Sequence, residues 1–203
     1  MHDKTQIDLL RHGETRLNEV SKDSVFLGST DTSLSLHGWQ QMKSAINNND
    51  YQRIISSPLK RCLDFSQYFS KENEISIMIE NDLREIDFGD WEVEPIKELW
   101  QTQEVLLSAF WDDPRNNTPP NAEKLTVFQT RVNMALNNII NKYKGEKILM
   151  VVHGGVIRQI ISNVLSIEFK TAQQISIDYG SLSRLNCYDK NINLAFINQR
   201  IKK

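Results

Sequence analysis

The chain has 203 residues and a formal net charge of −2; 39% of its residues are hydrophobic and 25% are charged. This length suits one well-cored domain with at most a small cap, and the near-zero charge does not favour nucleic acid or an anionic membrane surface as a partner. Apolar runs stay shorter than the roughly 18 residues of a membrane span, so we expect a cytoplasmic protein without membrane contact.

Apolar periodicity and turn residues predict an alternation of strands and helices. The predicted order is strand 7–10, loop 11–34 with room for a short helix, helix 35–48, strand 52–56, helix 57–70, strand 75–79, loop 83–94, helix 95–112, loop 112–121, helix 122–143, strand 147–152, helix 155–165, strand 182–188 and strand 193–198. Ser35 opens its helix as an N-cap residue. Pro58 is expected in the first turn of the next helix, where its missing N–H has no helical partner.

This order of elements favours an α/β fold. We expect a three-layer α/β/α sandwich, whose mostly parallel sheet carries an antiparallel edge. Residues 1–203 are expected to form a single domain. The stretch from about 90 to 121 is a possible cap or rim insertion, because it ends in a segment with three prolines and several asparagines.

Two predicted strands end in a histidine followed by glycine. Arg11, His12 and Gly13 follow the first strand, and His153 with Gly154 follows the strand at 147–152. In an open α/β sheet, ligands bind at the carboxyl ends of the strands, and the start of a helix there favours anions. Each histidine alone can be an incidental loop or core residue. Two such strand ends, one with a phosphate-binding arginine fork, predict one shared phosphate site.

Arg61 and Glu85 are further candidates for this site. Arg61 lies in the first turn of the helix that follows strand 52–56, although a surface arginine is the commoner case. Glu85 lies in a loop among Ile, Phe and Trp residues, where partial burial would suit a carboxyl group to general acid work. Asp87 and Asp90 in the same loop compete with Glu85 for that role.

A metal site or a bound cofactor is not predicted. Cys62 and Cys187 have no CxxC spacing, and the four histidines lack the HExxH spacing of zinc enzymes. We therefore expect no metal, no cofactor and no disulfide framework.

In this order, these blocks resemble the histidine phosphatase superfamily, also called the phosphoglycerate mutase-like group. The resemblance covers nearly the whole chain. It rests on residues 10–18, 28–41, 56–61, 85–91 and 152–158. Within the family, the short length and the segment Glu-Ile-Asp-Phe-Gly-Asp-Trp-Glu resemble most the phosphatases of the cobalamin pathway.

The resemblance implies a metal-independent phosphomonoesterase that acts on a small molecule. It implies that His12 is the nucleophile and forms a phosphohistidine, and that Glu85 is the proton donor to the leaving group. His153 is implied as the third catalytic residue. The implied phosphate-binding residues are Arg11, Asn18, Arg61, His153 and Gly154.

Two segments depart from the family pattern. The stretch from Pro119 to Lys124 keeps an acidic residue but lacks the Gly-Gly-Glu-Ser of many relatives, and Val93 stands where glycine is usual. The resemblance places both at the substrate rim, so they bear on the identity of the leaving group.

Other functions remain open at this point. They are a broad-specificity sugar or nucleotide phosphatase, a phosphoglycerate mutase, and a non-catalytic module that binds a phosphorylated ligand. The sequence does not decide the oligomeric state.

Overall fold

A six-stranded sheet forms the centre of the part of the chain that is described by the computed structural model, residues 4–21, 23–46, 50–189 and 191–200. Its strands are β1 (Thr5–Arg11), β2 (Arg53–Ser56), β3 (Ser76–Ile79), β4 (Lys147–Val152), β5 (Leu182–Cys187) and β6 (Ile192–Gln199). The spatial order is β3-β2-β4-β1-β5-β6. The first four strands run parallel, and β5 and β6 form an antiparallel edge. The predicted α/β class and mixed sheet are confirmed.

Helices cover both faces of the sheet. They are α1 (Arg16–Val20), α2 (Leu36–Ala45), α3 (Lys60–Asn73), α4 (Ile96–Thr102), α5 (Glu104–Asp112), α6 (Leu125–Lys142), α7 (Gly154–Leu165) and α8 (Phe169–Ala172). Successive strand side chains point to opposite faces, so Leu9 packs with α6 and α7 while Leu10 packs with α2 and α3. The predicted three-layer arrangement therefore follows from apolar residues on both faces of the central strands.

The segment predicted as one helix over 95–112 is two helices. The chain breaks at Gln103, which has φ −138° and caps both α4 and α5. The Gln103 side chain accepts the indole N–H of buried Trp91 at 3.0 Å. A buried indole N–H needs such a partner. The break also lets Leu99 and Phe110 pack with Trp91 in a cluster separate from the sheet.

Two helices begin or end at residues other than the predicted ones. Pro58 lies before α3 rather than in its first turn, because the helix begins at Lys60, whose N–H donates to Asp31 at 2.7 Å. Arg61 nevertheless occupies the first turn as predicted. The helix that begins after Ser35 ends at Ala45. Its predicted last residues, 47 and 48, lie outside the described part of the chain.

The helices within the described ranges are all too short or too polar to cross a bilayer.

Candidate active site

The two histidines lie side by side because β1 and β4 are neighbours. The parallel pairing places Arg11 opposite Val152, so the strands end at the same level and His12 and His153 follow them. The backbone N–H of His12 donates to the backbone carbonyl of Val152 at 2.9 Å. The ring centroids are 5.2 Å apart, with 62° between the ring planes. The structure thus brings together the two predicted strand-end histidines.

His12 is buried and held in one tautomer. Its Nδ1–H donates to the Gly13 carbonyl at 2.8 Å, because a carbonyl can only accept. Nε2 therefore carries the lone pair, and no group of the described residues is hydrogen-bonded to it. Burial lowers the pKa of His12 well below its usual value, and the charges of Arg61 and Arg11 lower it further. The imidazole is therefore neutral near pH 7, as a nucleophile requires.

His153 is fully buried and has both ring nitrogens engaged. Nδ1 accepts the Nε–H of Arg61 at 3.2 Å, and Nε2–H donates to the Ser57 hydroxyl at 2.6 Å. Burial lowers the pKa of His153 well below its usual value, and the charge of Arg61 lowers it further. His153 therefore orients Arg61 beside His12. The Ser57 contact was not foreseen, although Ser57 stands in one of the motif blocks.

Arg61 is a fully buried cation in the first turn of α3, the helix that follows β2. It donates to the carbonyls of Thr30 at 2.7 Å and Gly28 at 2.5 Å, and each terminal nitrogen keeps a second N–H. It forms no ion pair with a carboxylate in the described ranges. A buried charge without a counter-ion is costly, and a bound anion would offset that cost.

Arg11 supplies a second cation without a carboxylate partner in the described part of the chain. Its Nε is buried and has no hydrogen-bond partner, while its guanidinium lies 3.9 Å from the centre of the Tyr179 ring. Burial lowers the pKa of Arg11. A Cβ on Gly154 would stand 3.4 Å from the Nε, so glycine there leaves room beside this unpaired donor. The unpaired Nε–H of Arg11, which lies beside the start of α7, is suited to an anionic oxygen.

Glu85 faces the same helix start. Its Oε2 accepts the Gly155 N–H at 2.9 Å, and its Oε1 accepts the Ile86 N–H at 3.1 Å. A Cβ on Gly155 would stand 2.4 Å from Oε1, so this contact requires glycine. The competing carboxylates are engaged elsewhere: Asp87 accepts from Gly89, and exposed Asp90 accepts from Asn121.

Asn18 forms a local capping contact. Its side-chain oxygen accepts from the Thr15 hydroxyl at 2.7 Å and from the Thr15 backbone N–H at 3.4 Å, and the backbone bond completes a capping box at the start of α1. In the part of the chain that the structure describes, Asn18 bonds none of the other predicted site residues. The cap engages only the side-chain oxygen, so the side-chain NH2 group keeps its N–H donors for another partner.

A buried arginine on α6 holds the Glu85 loop. Arg131 donates to the carbonyls of Asp82 and Arg84 at 2.7 Å and of Glu85 at 3.1 Å. It also pairs with Glu123 at 2.7 Å, with 7% and 10% of the two side chains exposed. Glu123 is the retained acidic residue of the departing segment, and its role here is to hold Arg131. Sequence reasoning missed this contact because backbone carbonyls leave no residue signature.

The two departing segments brace loops around the site. The Val93 N–H donates to the Phe26 carbonyl at 2.8 Å, and Val93 has φ 66°, in the left-handed region that favours glycine. The backbone N–H of Glu123 donates to the backbone carbonyl of Asp87 at 3.0 Å. Among the described residues, these segments contribute nothing to the cavity wall beside Arg11 and Glu85.

The ranges that the structure describes contain no group of three or more His, Cys, Asp or Glu residues arranged to hold a metal ion. The positive charges that face this site are those of arginine side chains and the start of α7.

Comparisons with known proteins agree with this geometry. The sequence model of the histidine phosphatase superfamily (branch 1) matches residues 7–200. The adenosylcobalamin/alpha-ribazole phosphatase of Escherichia coli (strain K12) is 25% identical over 195 residues, which cover 95% of each chain. Phosphoglycerate mutase-like protein 4 of Arabidopsis thaliana is 30% identical over 164 residues, 78% of this chain and 70% of the relative. The crystal structure of an alpha-ribazole phosphatase from Shigella flexneri matches with a TM-score of 0.84 at 24% identity, covering 98% of this chain and 100% of that one.

Proposed function

Because the chain belongs to branch 1 of the histidine phosphatase superfamily, we propose that it hydrolyses phosphomonoesters through a phosphohistidine on His12. One observation supports this most directly. A neutral histidine with an open ring nitrogen lies at the same sheet edge as Arg11 and Arg61, two arginines that lack carboxylate partners within the described ranges. Phosphoryl transfer needs positioning and charge neutralisation, and this arrangement supplies both.

In the first step, His12 Nε2 attacks the phosphorus and the bond to the ester oxygen breaks. The charge on the phosphoryl oxygens is stabilised by Arg11, by Arg61 and by the N–H groups at the start of α7, next to Gly154. His153 keeps Arg61 in place, and a phosphoryl oxygen competes with Ser57 for its Nε2–H. We assign Asn18 an auxiliary contact through its side-chain NH2 group, because the cap on α1 uses only its side-chain oxygen.

Glu85 handles the protons of both steps. In its acid form it protonates the departing alkoxide oxygen. The resulting carboxylate then takes a proton from water, which attacks the phosphorus. The nitrogen–phosphorus bond breaks, its electron pair returns to His12, and inorganic phosphate leaves. A covalent intermediate thus splits hydrolysis into two displacements without a metal.

We propose α-ribazole 5′-phosphate as the substrate, in cobalamin biosynthesis. The proposal is supported by the relatives that carry this name and match almost the full length of the chain. It includes a single domain over residues 1–203, a cytoplasmic location and no role for nucleic acid.

A substrate panel in the presence of EDTA tests this assignment. We expect α-ribazole 5′-phosphate to have the highest kcat/KM, about tenfold or more above 3-phosphoglycerate, fructose bisphosphates and nucleotides. Activity that returns only with a divalent ion contradicts the metal-independent mechanism. A 2,3-bisphosphoglycerate-dependent transfer instead supports a mutase, and no turnover of any ester supports a binding module.

The Arg131 contacts predict a positioning effect on Glu85. Arg131→Lys keeps a charge beside Glu123, but an ammonium group cannot replace the planar fork that bonds the Asp82, Arg84 and Glu85 carbonyls. We expect kcat/KM to fall about tenfold on alkyl phosphates and to change little on 4-nitrophenyl phosphate, which needs no acid.

Arg53→Lys is the matched control, because Arg53 pairs with Glu146 near the start of β2, at the opposite end of that strand from the site. Thermal unfolding of both variants separates a change in stability from a change in activity. Equal losses on both substrates would mean that Arg131 has only a structural role.

A further inference from the structure

A cavity of about 210 Å³ opens beside the phosphate-binding groups. One wall is polar and contains Arg11, Glu85, Gly154, Gly155 and Arg158. The other part of the lining, the aromatic wall, contains Phe26, Phe88, Phe110, Trp111 and Phe169. The two walls therefore belong to one continuous space that begins where the phosphoryl group would bind.

The aromatic wall is built from four separate parts of the chain, and Phe169 comes from α8. Phe26 comes from the loop after α1, and its ring stacks with that of Trp111 at 5.9 Å and 27°. Phe88 approaches Phe26 at 4.7 Å between ring centroids. Phe110 and Trp111 are in the last turn of α5, and Phe110 anchors it in the core cluster around Trp91. The break at Gln103 is what allows α5 to take this position.

Trp111 differs from the other rings because it keeps 39% of its surface exposed. Large aromatic side chains lower their free energy by covering such surface with another ring. Arg158 lies on the polar wall, where its Nε–H donates to the Ile175 carbonyl at 3.0 Å, and burial lowers the pKa of its guanidinium. The cavity thus combines the charged side chains of its polar wall with the stacking surface of its aromatic wall.

We infer that this cavity is a leaving-group subsite for a planar aromatic ring carried on the substrate alcohol, with Trp111 as the ring that stacks on it. The inference rests on the proposed phosphatase function. Segment 90–121, the predicted cap, then covers the leaving group of the substrate. A benzimidazole nucleoside such as α-ribazole fits this chemistry, whereas a small sugar acid leaves the aromatic wall unused.

A pair of matched substrates tests the subsite. Naphthylethyl phosphate and its saturated decalinylethyl analogue have leaving alcohols of nearly equal acidity, so they differ in ring character and not in the phosphoryl chemistry. We expect the wild type to favour the naphthyl ester about tenfold in kcat/KM. Trp111→Leu is expected to remove that preference mainly through a higher KM.

Trp100→Leu is the matched control, because Trp100 lies on α4 with 43% of its surface exposed and is not in the cavity wall. An unchanged ratio in the control together with a ratio near one in Trp111→Leu supports the subsite. A ratio in Trp111→Leu that equals the wild-type ratio overturns it, even if both esters are hydrolysed well.

Direct binding separates failure of the subsite from failure of the proposed function. If the wild type hydrolyses neither of these esters nor any ester of the substrate panel, calorimetry with naphthylethanol and inorganic phosphate tests the cavity without catalysis. Binding of naphthylethanol by the wild type that is lost in Trp111→Leu keeps the subsite and rejects the phosphatase. No binding to the wild type rejects the subsite as well.

Discussion

His12→Ala is expected to lower kcat on every phosphomonoester by about a thousandfold or more, because it removes the atom that accepts the phosphoryl group. Nε2 of His12 is open, whereas both ring nitrogens of His153 are held by Arg61 and Ser57. The measurement is steady-state hydrolysis of α-ribazole 5′-phosphate and 4-nitrophenyl phosphate. Activity within tenfold of the wild type would show that another group is the nucleophile.

The covalent intermediate gives this prediction a second measurement. Quenching into alkali preserves phosphohistidine, so mass spectrometry should find a phosphoryl group on His12 in the wild type and none in His12→Ala. His153→Ala should still form the intermediate, only more slowly. His37→Ala is the control, since His37 is exposed in the first turn of α2. A phosphoryl group on His153 would reverse the two assignments.

The lowered pKa of His12 fixes the direction of its pH dependence. Burial and two arginines favour the neutral imidazole, so protonation inactivates the nucleophile only well below the ordinary histidine pKa. We therefore expect kcat/KM to show no loss from His12 protonation between about pH 7 and pH 6.

The sequence predicted which side chains meet at the candidate site better than it predicted how they are held. His12 and His153 were recognisable because each ends an apolar run and precedes glycine. Their contact depends on β1 lying beside β4, and the paired residues, such as Leu10 and Val151, lie far apart in the sequence. Local pattern reasoning yields strand ends, and only the sheet order brings those ends together.

The parts that were missed depend on contacts without a local pattern. Gln103 breaks the predicted helix over 95–112 although no glycine or proline marks the site, because buried Trp91 needs its side-chain oxygen. Arg131 bonds backbone carbonyls, which any residue could supply. Asn18 adds a local contact that the motif did not predict, because the side-chain oxygen of this motif residue caps its own helix.

Glu85→Gln is expected to separate the two roles of this carboxyl group. Glutamine keeps an oxygen for the Gly155 N–H but cannot donate a proton to the leaving group or take one from water. On an alkyl phosphate, kcat/KM should fall about a hundredfold to ten-thousandfold, the usual contribution of general acid catalysis. On 4-nitrophenyl phosphate it should fall less than about tenfold, because nitrophenolate leaves without protonation.

The ratio kcat/KM is the quantity to compare, since it reports only the steps up to departure of the alcohol. The second displacement also uses Glu85, so kcat falls on both esters, and 4-nitrophenyl phosphate should give a burst of nitrophenolate as the phosphoenzyme accumulates. Asp87→Asn is the control, because Asp87 is the rival carboxylate and asparagine keeps the bond to Gly89. If Glu85→Gln lowers kcat/KM equally on both esters, the proton donor is another group, and an alkyl-selective loss in Asp87→Asn would identify it.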